Sequence, residues 1–151
     1  MHQSGSGRTK EERVKQVVDR EKSVMDFASY IPVENATAKL KSWFEQGAEI
    51  SYLSSHKKIE DLQKDKSVLT KYEFPEGEIY FRQSDEGYED IVERIIPNIL
   101  VEDDCESIGG EQEMVYPHLK LEVMSRIKSI VVKEFGGIDH LPDKISDLVN
   151  Y

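Results

Sequence analysis

The chain has 151 residues, 38% of them hydrophobic and 33% charged, with a formal net charge of −10. That length suits one domain spanning 1–151, able to bury roughly 70% of the surface its unfolded form exposes. The acidic balance repels polyphosphate backbones, so no nucleic acid is expected as a partner. No apolar run approaches the roughly 20 residues that cross a bilayer, and no apolar signal core opens the chain. No membrane association and a cytoplasmic location are therefore the default expectations.

In chain order, Met1 to Gly7 is polar and glycine-serine rich, and reads as a flexible stretch or a loop remnant. Thr9 and Glu12 form a capping-box pattern that opens a helix from Lys10 to the low twenties. A second helix follows Pro32, with Val33, Ala36, Leu40, Trp43 and Phe44 on its apolar face and Gly47 as its stop. Ala48 to Leu53 reads as a strand leading into Ser54, Ser55 and His56. A charged helix then runs from about Lys58 to Thr70, burying Ile59, Leu62 and Leu69.

A short strand is expected over Glu78 to Arg82. Tyr88, Ile91, Val92, Ile95 and Ile96 mark another amphipathic helix, closed by Pro97. The apolar run Ile99-Leu100-Val101 forms a strand that ends in Glu102-Asp103-Asp104. An irregular stretch reaches about Tyr116, Pro117 opens a helix, and Ile127 to Val132 gives a last strand. In the C-terminal segment, 134–151, two glycines and Pro142 favour a tight loop. It either packs over the core or faces a substrate, and packing is the stronger expectation. Helix and strand alternate throughout, which predicts an α/β fold with a mainly parallel sheet and helices on both faces.

Three strand ends carry polar groups: Ser54 and Ser55, then Arg82, then Asp103 and Asp104. Parallel strands bring such ends to one sheet edge, where open α/β folds place ligands. A hydroxyl and a guanidinium suit a phosphoryl group, and adjacent carboxylates suit Mg²⁺. The expected partner is a small phosphorylated molecule. The single cysteine, Cys105, lies among acids that disfavour its thiolate, so it is expected to be inert. The four histidines show no zinc-ligand spacing. Ser4 to Thr9 lacks the lysine and the preceding strand of a phosphate loop.

These residues resemble the haloacid dehalogenase-like (HAD-like) superfamily. Ile31-Pro32 through Ala36, Leu40 and Gly47 to the strand ending at Ser54 is similar to its second motif, and Ile99 to Asp104 is similar to its fourth. Arg82 stands where the third motif's cation belongs. The resemblance implies a three-layer, doubly wound, Rossmannoid α/β fold and a Mg²⁺-dependent phosphatase-like hydrolase. It places Ser54, Ser55 and Arg82 on substrate, Asp103 and Arg82 in catalysis, and Asp103 and Asp104 on the metal.

The family's first motif, a strand ending in Asp-x-Asp that supplies the nucleophile, has no counterpart here. Val24-Met25-Asp26-Phe27-Ala28 comes nearest, but Ala28 occupies the second acidic position, and Asp26 is not assigned as a nucleophile. In the family that strand lies centrally, between the strands of the second and fourth motifs. Its loss implies that those neighbours pair directly, that Met1 to Gly7 fills the place, or that a strand is borrowed. A cropped or misassigned start is the favoured explanation. The chain as given is expected to bind Mg²⁺ weakly and to be inactive. The alternatives are a non-catalytic binding or scaffold domain and, less well matched in motif order, a receiver-type phosphoacceptor.

Overall fold

The computed structural model describes residues 1–83 and 85–151. Six α-helices and four strands stand among the described residues. The first helix, α1 (Lys10–Val18), opens with the expected box: the Glu12 amide donates to Thr9 Oγ1 (3.3 Å), and Glu12 Oε2 accepts from the Thr9 amide (2.9 Å). It stops short of the low twenties because Arg20 turns left-handed (φ 49°), and a separate short turn follows at Lys22–Val24.

Helix α2 (Ala36–Glu45) ends before Gly47, whose φ of 95° is open to glycine at little cost. Trp43 is buried there and donates its indole N–H to the Pro142 carbonyl (2.9 Å). Phe44 is not core, as expected from the sequence, but 47% exposed. Strand β1 (Tyr52–Ser54) is shorter than the expected Ala48–Leu53 run. Just before it, a Cβ on Gly77 would lie 2.0 Å from the Ile50 carbonyl oxygen, so only glycine allows that close approach.

Helix α3 (Ile59–Lys71) follows, with Ile59 exposed in its first turn rather than buried as expected. Strand β2 (Ile79–Phe81) leads to α4 (Tyr88–Ile95), which buries Ile91 and Val92 and ends at a left-handed Ile96. Strand β3 (Ile99–Asp103) runs to its acidic end. Beyond it, Pro117 sits in a short 3₁₀ turn, and the expected helix shrinks to the single turn of α5 (Leu121–Met124). Strand β4 (Lys128–Val132) and α6 (Ile145–Leu148) complete the chain.

The strands form two parallel pairs rather than one sheet. β1 pairs with β2 in the register Leu53↔Tyr80, and β3 pairs with β4 in the register Val101↔Ile130. Two apolar clusters hold these pairs. In one, Trp43, Ile130, Val132, Leu141 and Leu148 are buried, with Ala48 and Ile99 against them. In the other, Val92, Val115, Leu119, Val123 and Ile127 are buried, with Leu53 and Leu100 against them. Ile99 and Leu100 are neighbours on one strand, so the clusters cover opposite faces. The segment around β1 touches both clusters as well, through Ala48 and Leu53. The C-terminal segment thus packs into the first cluster through Leu141 and Leu148. No helix is long and apolar enough to cross a membrane among the described residues.

Trp43→Ala should remove about 3–5 kcal/mol of stability in urea unfolding, through lost burial and a residual cavity. Val131→Ala, at a side chain 50% exposed, should stay within about 0.5 kcal/mol. Equal losses at both positions would contradict the assigned core.

Candidate functional site

Because each pair is parallel, the residues after β1 and β2 lie at one end of their pair, and those after β3 and β4 at one end of theirs. Tyr88, at the start of α4, marks the meeting point. The Arg82 guanidinium lies over its ring, 4.1 Å from the centroid, a cation–π contact. Burial raises the Tyr88 hydroxyl above its usual range, the adjacent Arg82 and Ser55 pull it the other way, and Cys105 adds to the rise. Ser55 from the β1 end and Arg82 from the β2 end therefore meet at one phenol. Arg82 Nε is buried and has no hydrogen-bond partner among the described residues.

Ser54 is placed differently from the expectation of a free phosphate donor. It is buried, and its hydroxyl donates to Asp65 Oδ2 at 2.5 Å. The His56 ring meets the same oxygen through Nδ1 at 2.9 Å, and the His56 amide donates to Ser54 Oγ at 3.2 Å. Phe27 packs against the imidazole, centroids 4.2 Å apart. Asp65 thus sits between the serine and the histidine. The imidazole nitrogen facing this cluster reaches the acid rather than the hydroxyl, so the trio lacks the serine–base contact of a nucleophile pair. A carboxylate at this distance also repels an incoming anion.

The acidic run at the end of β3 is divided among internal partners. Glu102 accepts from the amides of Val115 (2.6 Å) and Tyr116 (3.0 Å), anchoring the irregular stretch. Asp103 is exposed and accepts from the Cys105 amide through Oδ1 at 2.8 Å. Asp104 accepts from the Glu134 amide and pairs with Lys133, each at 3.0 Å. Burial alone would raise the Asp104 carboxyl, but these contacts hold it below the usual range. The Glu134 side chain in turn accepts from Ser107, tying the loop after β3 to the loop after β4.

Asp103 and Asp104 therefore serve different local partners. No group of three or more His, Cys, Asp or Glu side chains converges to hold a metal among the described residues. This donor set does not fit a Mg²⁺ centre by itself. Asp26 heads the turn Phe27–Ser29, where its carbonyl accepts from the Ser29 hydroxyl (3.0 Å). His56 and Asp65 went unread in the sequence. A strand-end Ser-Ser-His was visible, but the reach of Asp65 depends on the register of α3 against β1.

Cys105 adopts a left-handed φ of 47°. Burial first, then the charges of Asp103, Glu102 and Glu134, push its thiol up to about 12. Compared with family models, curated proteins and solved structures, the chain matches none.

Iodoacetamide at pH 8 should alkylate Cys105 at least about tenfold more slowly in the folded chain than in urea, since only the thiolate attacks. The raised value favours the folded state below the ordinary thiol range, and that contribution fades as pH climbs toward about 12. Equal rates in the folded and unfolded chain would contradict this environment.

Proposed function

We propose that this chain is a phosphatase-like domain of HAD-like, three-layer architecture that holds a small phosphorylated molecule at the strand ends without hydrolysing it. The observation carrying the reading is the convergence of Ser55, Arg82 and Tyr88 at the ends of β1 and β2. The Arg82 guanidinium and the two hydroxyls are donors of the kind that phosphate oxygens accept from. Arg82 supplies the charge, Tyr88 orients its plane, and Ser55 adds a neutral donor.

Turnover is not part of this reading. Phosphoryl transfer through the enzyme needs a nucleophile in line with phosphorus, and the Asp-x-Asp strand end that would supply it has no counterpart in this sequence. Mg²⁺ enters only as a weak ligand of Asp103 together with substrate oxygens, and no chemical step is assigned to it. A second reading, a non-catalytic scaffold of the same architecture, is favoured by the internal commitments of Ser54 to Asp65 and of Asp104 to Lys133.

Calorimetry with a small phosphomonoester should give saturable binding that Arg82→Ala weakens at least about tenfold, the scale of a charge-assisted contact. Mg²⁺ alone should not saturate the chain at millimolar metal, and Asp103→Asn should abolish what binding there is. No hydrolysis should follow. Steady release of phosphate, or binding indifferent to Arg82→Ala, would refute the proposal. No phosphate binding at all would leave the scaffold reading.

A further inference from the structure

A cavity of about 320 Å³ opens where β3 and β4 finish. Its walls carry Ile31 and Val33 from the segment before α2, Leu69 from α3 and Val132 from the end of β4. Phe135 and Ile138, from the loop beyond β4, complete the apolar lining. Neither Ser55, Arg82 nor Tyr88 lines it, so this is not the phosphate site proposed above. Its volume lies at the small end of the range for small-molecule sites, which pair apolar walls with a few polar groups.

The loop wall uses backbone that most residues avoid. Phe135 is left-handed (φ 60°), and its carbonyl accepts from Arg13 Nη1 (3.4 Å). Gly137 is left-handed as well (φ 66°), and a Cβ there would meet Glu34 Oε2 at 3.0 Å and Val33 Cγ1 at 3.1 Å. Glycine at 137 thus lets the loop after β4 close against the segment before α2.

Two charged side chains stand on this wall, and they are not equivalent. Lys133 already pairs with Asp104 (3.0 Å). Asp103 is exposed, its Oδ1 accepts from the Cys105 amide (2.8 Å), and no cation pairs with it among the described residues. The Lys128 amide donates to the Asn98 carbonyl (2.9 Å), and the Asp104 amide to the Val132 carbonyl (3.0 Å). Leu100, Glu102 and Asp104 therefore direct their backbone groups to β4, and Asp103 directs its own away. Of the other polar groups on the wall, the Tyr30 hydroxyl donates to the Val24 carbonyl (2.7 Å). Burial, with Arg13 nearby, lowers the Met1 amino group to about 6, so it is mostly uncharged at pH 7.5.

We propose that this cavity binds a small hydrophobic amine, its ammonium on Asp103 Oδ2 and its apolar body among Ile31, Leu69, Val132 and Phe135. Apolar walls with one unpaired carboxylate select an apolar body carrying one positive charge. A bare metal ion would leave the apolar walls unfilled, and an anion would meet repulsion from Asp103.

The probe is phenethylamine, compared with phenethyl alcohol and hydrocinnamate, which keep the apolar body and change the charge. In calorimetry at pH 7.5 the amine should bind the 151-residue chain saturably, with Kd below about 1 mM. The alcohol and the carboxylate should bind at least about tenfold more weakly. Asp103→Asn keeps an oxygen for the Cys105 amide. It should weaken the amine at least about tenfold and leave the alcohol unchanged. Ala36→Phe, which fills the cavity, should abolish amine binding, and circular dichroism reports whether that variant folds.

Amide chemical shifts place the probe in the wild-type chain if Ala36→Phe does not fold. The changes should centre on Asp103, Val132 and Phe135, and changes confined to Ser55 and Arg82 would overturn the proposal. Absence of saturable amine binding, equal binding of the alcohol, or an Asp103→Asn chain that binds the amine undiminished would overturn it too. These assays contain no phosphate compound, so amine binding and phosphate binding succeed or fail separately.

Discussion

The parallel β pair carries a constraint that shapes the rest of this molecule. Each such strand spends half of its backbone groups on one neighbour and directs the other half away from it. A strand in the middle of a sheet therefore needs two neighbours, and here both β1 and β3 have one. The helices nevertheless cover both faces as they would over a continuous sheet, with Trp43 and Leu148 on one side and Val92 and Val123 on the other. Face packing holds the two halves in a common frame that edge pairing does not complete. Apolar burial is non-directional and can do this where no backbone hydrogen bond joins the two pairs among the described residues.

The same frame explains the electrostatics at the strand ends. Parallel strands deliver Glu102, Asp103 and Asp104 to one edge, where uncompensated carboxylates would repel one another. The chain answers with its own groups: two amides on Glu102, the Lys133 ammonium and the Glu134 amide on Asp104, and a local amide on Asp103. These contacts fix the loops after β3 and β4 and leave Asp103 the most available acid of the three. Arg82, by contrast, lies over the Tyr88 ring at the end of β2.

Much of this was legible in the residues. The periodicity of Ile91, Val92 and Ile95 marked α4, and the step from apolar to acidic marked β3, because both signals are local. The parallel arrangement followed from alternation of helix and strand. The split into two pairs was not legible as such, since pairing joins residues far apart in sequence. Ser54 was legible as a strand-end hydroxyl but not as the donor to Asp65, which is set by how α3 packs. Ile59 and Phe44 looked like core by periodicity and are exposed, because a helix's first and last turns extend beyond the surface they cover.

The central claim is that β1 and β3 each pair along one edge alone among the described residues, β1 with β2 and β3 with β4. Residue-resolved amide hydrogen exchange tests it most directly. The account predicts alternation along β3, with Leu100 and Glu102 protected by β4 while Val101 and Asp103 exchange freely, and with Leu53 free between Tyr52 and Ser54. Protection of Val101, Asp103 and Leu53 equal to that of their neighbours would contradict it, because those amides would then have a partner strand.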